Sequence, residues 1–347
     1  MTQDVTPGEA LARILTGYWG IQLLRTAVLL GLADNLASGS RNAEELAGAC
    51  GGNAPMMRRL LRALVPLGVL TENADERYEL TPMGQYLRSD TPGSMRLMIL
   101  FNGGVTYQAL HKLSESVLDG RSAFEHAHGM PFYEYLAQHP DEAAVMDGSM
   151  TQTAQAWFCR FMERYDLRGV GTLVDIGGGH GTLLAHILQA NPAMRGILVD
   201  LPHVVAGSEQ PLVKAGVADR CTVVGGDIFA SVPESGDAYL LARVLFNWED
   251  EAVITLLRNC RRAMRRDARL LVVDAVLPVG DRSRNYAVWD LSMAMHFGVG
   301  LRTEAKFREL FAAAGFTLTE IVPLQEQPLP PTAMAYNQFS LIEATPL

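Results

Sequence analysis

The strongest constraint on this chain is a run ending in Val174-Asp175-Ile176 that turns through Gly177-Gly178-Gly179-His180-Gly181 into the helical pattern Thr182-Leu183-Leu184. Glycines between a strand and a helix let the backbone approach a ligand closely and aim the first amides of the helix at it. Around this turn, strand-like runs at Thr172 to Ile176, Gly196 to Asp200, Cys221 to Gly225, Ala238 to Leu241 and Leu270 to Ala275 alternate with helical patterns at 181 to 190, 203 to 216, 250 to 265 and 304 to 314. The alternation predicts an α/β unit built on a parallel, doubly wound sheet. A last run, Ala335 to Ala344, follows the Pro-rich segment 327–332 and is expected to add an antiparallel edge strand.

That unit leaves half the chain unexplained, and 347 residues with 48% apolar side chains exceed what one core usually organises. From Pro7 to Ala37, Leu11, Ile14, Leu15, Tyr18, Ile21, Leu24, Val28 and Leu32 follow helical spacing, while Trp19, Leu23 and Leu29 sit on the opposite face. A helix apolar on most faces must be buried, either against another subunit or beneath the chain's own second domain. Ala43 to Cys50 and Ala54 to Leu67 then read as short helices, followed by a hairpin around Asn73-Ala74-Asp75, which makes a winged-helix pattern. Residues 91 to 170 read as helical, with breaks near Gly103-Gly104, Gly129 and Pro140. The expected division is 1–100 as a winged-helix unit that covers a pocket or forms a dimer, 101–168 as a helical connector and 169–347 as the ligand-binding domain.

A winged helix raises the question of DNA. Residues 1–100 carry nine Arg, no Lys and ten acids, and the whole chain has 29 basic against 38 acidic residues, a formal charge of −9. That leaves little surplus charge for phosphates or an anionic membrane, and Arg58, Arg59 and Arg62 form the only local cluster. Neither a nucleic acid nor a membrane is expected as partner. Cys50, Cys159, Cys221 and Cys260 show no disulfide or zinc spacing. With no basic leader at the start, the reading is a cytoplasmic protein with reduced thiols.

The glycine turn alone signals only a nucleotide-like ligand. A dinucleotide fingerprint would place a third glycine at position 182, where the chain has Thr182, so a nicotinamide or flavin cofactor is disfavoured. Acids stand at two further strand ends: Asp200 in Leu198-Val199-Asp200-Leu201-Pro202 and Asp227 in Gly225-Gly226-Asp227-Ile228-Phe229. Ligands of open α/β sheets bind beyond the carboxyl ends of strands, so Asp175, Asp200 and Asp227 are expected to converge on one crevice. A carboxylate at the second strand can accept ribose hydroxyls, and one at the third can accept an adenine amino group beside Ile228 and Phe229. Such a set suits a cationic adenosyl ligand better than a polyphosphate.

These blocks, with Asn247-Trp248-Glu249-Asp250-Glu251 and Arg302-Thr303 following in order, resemble the S-adenosylmethionine-dependent small-molecule O-methyltransferases of the caffeate and acetylserotonin type, whose bacterial members act on aromatic and polyketide natural products. The resemblance covers nearly the whole chain. It implies a Rossmann-like methyltransferase domain, and an N-terminal winged-helix domain that makes a homodimer through intertwined helices. It also implies an S-adenosyl-L-methionine site in which Gly177 meets the methionine portion, Asp200 binds ribose, and Asp227, Ile228 and Phe229 hold adenine, with Asp175, Gly179, Leu201, Gly226 and Arg243 around them. Met150, Phe246, Trp248 and Met293 are placed along the acceptor pocket.

Two departures bear on chemistry. Where such enzymes carry a His as proton acceptor before the Asp/Asn-Trp pair, this chain has Phe246, and the Glu that precedes Arg-Thr is Leu301. A lysine four residues before the His is Ala242, while the acid after the fifth strand persists as Asp274. The candidates left for acid, base or orienting roles are His296, Asn247 and Asp274. His296 reads either as a replacement base or substrate partner, or as a buried His satisfied by backbone. Asp274 would take a phenolic proton poorly unless paired with a His. His126 and His128 form an HxH in an expected loop, read as surface rather than metal, and no metal is expected. The resulting expectation is a methyltransferase acting on an aromatic or polyketide-like acceptor, chiefly on oxygen and mainly by proximity. The alternatives are an S-adenosylmethionine-binding enzyme of the same fold that decarboxylates, hydroxylates or guides a pericyclic step, and a winged-helix regulator that senses an adenosyl ligand.

Overall fold

The computed structural model describes residues 6–324 and 338–347, the side chains of residues 151–157, 159 and 282 excepted. The chain packs into two compact units, residues 1–114 with 126–152, and residues 115–125 with 153–347. Residues 101–168 are divided between them, and the helix Pro140–Arg164 runs from one into the other.

In the first unit the apolar stretch from Pro7 is three helices, not one: Pro7–Thr16, Tyr18–Leu29 and Leu32–Leu36. The breaks fall at Gly17 and at Gly31, whose φ of +61° only a glycine takes without strain. Helices Ala43–Cys50 and Ala54–Leu64 follow, each begun by an asparagine whose side chain accepts an amide of the first turn: Asn42 from Glu45 and Asn53 from Met56. Strands β1 (Leu70–Glu72) and β2 (Tyr78–Leu80) pair antiparallel as the wing. Leu46, Leu61, Leu64 and Tyr78 form the centre of this core. In the arginine cluster, Arg58 pairs with Glu44 and Glu76, and Arg62 with Glu72 and Glu76, so acids of the module itself offset the charge of two of the three.

The second unit is built on a seven-stranded sheet. Its members are β3 (Thr172–Ile176), β4 (Arg195–Asp200), β5 (Cys221–Gly225), β6 (Ala238–Ala242), β7 (Arg269–Asp274), β10 (Phe316–Pro323) and β11 (Ser340–Pro346), in the order β10-β11-β7-β6-β3-β4-β5. A separate small parallel pair is made by β8 (Val276–Leu277) and β9 (Arg302–Thr303). The five strands β3 to β7 are parallel, with β5 at one edge, and β10 and β11 are antiparallel. Alternation along the strands sends Leu173, Leu198, Leu240, Leu271 and Val273 into one core, and Val174, Val199, Tyr239, Leu241 and Val272 into the other. Both faces are covered, as parallel sheets require.

The expected terminal strand exists but is not an edge. β11 lies between β7 and β10, and β10 is the edge. The 316–323 strand escapes a period-two reading because a register shift between Leu318 and Glu320 moves the alternation by one residue. Residues 335–337 of the expected run lie outside the described residues. The helical pattern at 203 to 216 is also two pieces, Pro202–Val205 and Glu209–Lys214. Among the described residues, no helix is long and apolar enough to cross a membrane.

Candidate active site

The sheet reverses its strand order beside β3: β4 and β5 lie on one side, β6 and β7 on the other. Loops leaving β3 and β6 therefore part company there and open a crevice. Gly177, the first residue after β3, has φ +68° and donates its amide to Val199 O at 2.7 Å. A Cβ at this position would lie 2.9 Å from Val244 Cγ2 in the turn after β6, so only glycine fits the backbone at the fork. Gly179, at φ +60°, has open space where a side chain would be, and Gly181 at +75° starts the helix Thr182–Ala190. His180 turns its ring onto Gly207, where a Cβ would stand 2.9 Å from Nε2.

Asp200, at the end of β4, is partly exposed and held from two sides. Its Oδ2 accepts the Gly179 amide at 2.8 Å and its Oδ1 accepts the Leu201 amide at 2.7 Å, while its backbone carbonyl accepts from Gly226 at 2.9 Å. The carboxylate is thereby fixed beside the glycine turn with lone pairs to spare. After β5, the exposed Asp227 accepts the Phe229 amide at 2.9 Å through Oδ1. Asn259, buried on the helix Asp250–Ala263, donates to the carbonyls of Ile228 (3.0 Å) and Phe229 (2.7 Å), which anchors the apolar part of this loop. Asp175 is placed differently from the other two acids. It is fully buried under the turn, and its Oδ2 occupies the space where a Cβ at Gly178 would be. Neither oxygen has a hydrogen-bond partner among the described residues, and burial, helped by the charge of Asp200, pushes its pKa up to about 7.

Glycines open to the crevice, a carboxylate aimed by two amides and an apolar wall at Ile228 and Phe229 fit a neutral or cationic adenosyl ligand. A polyphosphate would require basic side chains, and the residues brought together at these strand ends are acids.

The turn after β6 carries the acceptor-side candidates. Arg243 has φ +61°, an uncommon conformation for a side-chain-bearing residue. Its amide donates to Val273 O at 2.7 Å, and its guanidinium carbon stands 5.9 Å from the Phe339 ring centre. Asn247 donates to Arg243 O at 3.3 Å. Phe246 stacks on Phe339 at 6.3 Å and packs against the core that contains Met293. Trp248 goes the other way: it meets Phe229 edge to face at 4.7 Å, within the opposite core. The Phe246 and Met293 pair and Trp248 are thus on different sides, and Trp248 is beside the adenine candidates. Met150 is half-buried on the helix Pro140–Arg164, in the first unit.

His296 has the geometry of the buried alternative. It is 6% exposed, its Nδ1 lies 2.7 Å from Ser292 O, and Phe124 stacks on it. Burial lowers its pKa to about 4, so the ring is neutral at pH 7 and a weak base. Asp274 is fully buried at the end of β7. Its Oδ1 accepts the Ala275 amide at 2.6 Å, and burial pushes its pKa up to about 7 against the opposing pull of Ala275 and Arg302. His126 and His128 lie on the helix Ala123–His128, not in a loop, and the described residues hold no group of side chains suited to a metal.

Asn259 and Phe339 were not legible as site residues. Asn259 does leave a trace, a polar residue on the apolar face formed by Val253, Leu256, Leu257 and Cys260. Phe339 stands just before the distant strand β11 and leaves none.

Fold and crevice together define a Rossmann-like domain whose strand ends suit an adenosyl ligand. The chain belongs to the O-methyltransferase family: residues 110–317 match its O-methyltransferase domain and residues 12–90 its dimerisation domain. It is an S-adenosylmethionine-dependent methyltransferase. It is 39% identical over 338 residues to the phenazine O-methyltransferase of Lysobacter antibioticus, covering 97% of this chain and 96% of that one. Against the phenazine-1-carboxylate N-methyltransferase of Pseudomonas aeruginosa it is 34% identical over 321 residues, covering 92% and 95%. Among solved structures, an O-methyltransferase from neocarzinostatin biosynthesis, in complex with S-adenosylmethionine and 2-hydroxy-5-methyl naphthoic acid, superposes with a TM-score of 0.81 at 29% identity, over 94% of this chain and 96% of that one.

Proposed function

We propose that this chain methylates an aromatic small molecule, chiefly at a hydroxyl oxygen, as a homodimer, and that it accelerates transfer by placing the acceptor and not by a dedicated base. When bound, S-adenosylmethionine supplies an electrophilic methyl group. Asp200 would hold the ribose and Asp227, Ile228 and Phe229 the adenine, with Gly177, Gly179, Leu201 and Gly226 supplying close backbone. Phe246 and Met293 would face the acceptor, and Asn247 would orient it.

The observation that carries the reading is the apolar character of the wall around Phe246. Its ring stacks on Phe339 in a core with Met293, and the two titratable candidates, Asp274 and His296, are buried, with pKa values moved toward their neutral forms. Orientation of two reactants is worth about 7 to 11 kcal/mol, whereas a general base adds about 10² to 10⁴ in rate. Positioning can therefore supply the larger share, provided the acceptor enters ionised or carries an electron-rich atom. Oxygen is favoured over nitrogen because the matched domain and the Lysobacter relative are O-methyltransferases, although the Pseudomonas relative is an N-methyltransferase.

The test is incubation of the purified protein with methyl-labelled cofactor and a panel of hydroxyphenazines, hydroxybenzoates and hydroxynaphthoates. Label transferred to oxygen with equimolar S-adenosylhomocysteine is the expected result. Turnover of an acceptor without S-adenosylhomocysteine release would overturn the reading.

A further inference from the structure

Arg302 is 6% exposed, and its guanidinium is spent entirely on one turn. Nη1 donates to Leu245 O at 2.8 Å, Nη2 to Trp248 O at 2.5 Å and Nε to Asp250 Oδ1 at 2.9 Å. The other Asp250 oxygen takes Lys306 Nζ at 2.8 Å, which keeps the carboxylate charged and aligned. Arg302 is itself fixed in three ways. Its strand β9 pairs with β8 just after Asp274, the preceding Leu301 amide donates to Asp290 Oδ1 at 2.5 Å, and the following Thr303 caps the helix Glu304–Ala313.

The clamped segment, 245–250, contains the short 3-10 helix Leu245–Asn247 and leads into the helix Asp250–Ala263. It sends Phe246 into one core and Trp248 into the other, where the indole meets Phe229. A short turn whose two aromatic side chains point to opposite sides has little packing to fix its own twist. The planar fork of an arginine, bonding the carbonyls on both sides of Phe246 and Asn247, supplies that constraint.

We propose that Arg302 is a positioning residue: through the carbonyls of Leu245 and Trp248 it sets Trp248 against Phe229, so that the acceptor-side turn and the adenine loop order together. The inference rests on the cofactor assignment above for its ligand. The clamp itself stands on contacts within this chain.

Hydrogen exchange of the full-length protein, with and without S-adenosylhomocysteine, tests it on Arg302→Lys. Lysine keeps the charge but cannot serve two carbonyls and a carboxylate in one plane. Amides at 245–250 should exchange about tenfold faster in the variant, as for the loss of one charge-assisted hydrogen bond, with 172–176 and 304–313 unchanged. In the wild type, ligand should slow exchange at both 225–229 and 245–250; in the variant it should slow only 225–229. Wild-type exchange at 245–250 in the variant, or ligand protection retained there, would overturn the proposal. Asp250→Asn, which leaves both carbonyl bonds in place, should keep the protection, and its loss would assign the effect to the helix start and also overturn the clamp. If the wild type shows no protection at 225–229, the cofactor reading fails instead, and ligand-free exchange alone judges the clamp.

Discussion

Asp200 Oδ2 accepts the amide of Gly179 at 2.8 Å, which ties the end of the second parallel strand to the turn that closes the first. Asp200→Ala removes that tie and the acceptor proposed for ribose together. S-adenosylhomocysteine should bind about ten- to a hundredfold more weakly, the range for a lost hydrogen bond to a charged group. Titration calorimetry reads this directly, and unchanged affinity would remove Asp200 from the site.

Gly177→Ala puts a Cβ 2.9 Å from Val244 Cγ2 on a backbone at φ +68°. A side chain in the left-handed region costs roughly 1 to 2 kcal/mol before the clash is added. Urea denaturation should show at least that loss, and cofactor binding should fall further than stability alone explains.

Burial holds Asp175 and Asp274 at about 7, whereas in the unfolded chain each ionises near its usual value of about 4. Between those limits the unfolded state binds fewer protons, so the stability these carboxyls permit is full below about pH 4 and falls as pH rises toward 7. His296, lowered to about 4, acts oppositely: its share grows from about pH 4 to 6.5. Relative to wild type, Asp175→Asn and Asp274→Asn should gain stability between pH 5 and 7.5 in denaturant titrations. A gap that does not vary with pH would mean that the two acids are ionised in the fold.

Phe246→His introduces an imidazole at a position whose backbone hydrogen-bonds Asp274. For a phenolic acceptor, the wild-type rate should follow the ionisation of the phenol, and the variant should add a second titration near the usual pKa of about 6.5 for His. Identical pH profiles would argue that position 246 does not face the acceptor.

None of the residues of the helix Pro7–Thr16 is buried, and Leu11, Ile14 and Leu15 are each about two-thirds exposed or more. Under the proposed homodimer, this exposed apolar face would form part of the contact. Ile14→Glu should shift the protein toward monomer in sedimentation velocity with its helical circular dichroism intact; an unchanged sedimentation coefficient would place the dimer contact elsewhere.

The parallel strands were legible because each is a short apolar run bounded by turn residues. The turns at the ends of β3, β4 and β5, where the cofactor is proposed to bind, were legible because acids and glycines stand at those boundaries. Local pattern does not report long-range partners, and the misreadings follow from that. Position 316–323 loses its alternation at a bulge, and β11 reads as an edge because nothing in residues 340–346 says that a strand pairs on both sides. Trp248 and Phe246 are two positions apart, yet they enter opposite cores because the chain between them is a 3-10 turn and not a strand. The burial of Asp175 under the glycines and the tasks of Asn259 and Arg302 depend on contacts from distant segments, which only the folded chain brings together.

The placement of β11 between β7 and β10 also orders events during synthesis. Until residues 340–346 have left the ribosome, β7 has no neighbour on its outer side and β10 has nothing to pair with. A nascent chain stalled before that point would display the unpaired backbone of β7, whose side chains from Leu270 to Asp274 are fully buried in the finished sheet. Open apolar edges recruit other strands. Premature release short of these seven residues should therefore yield aggregate and not a shortened enzyme.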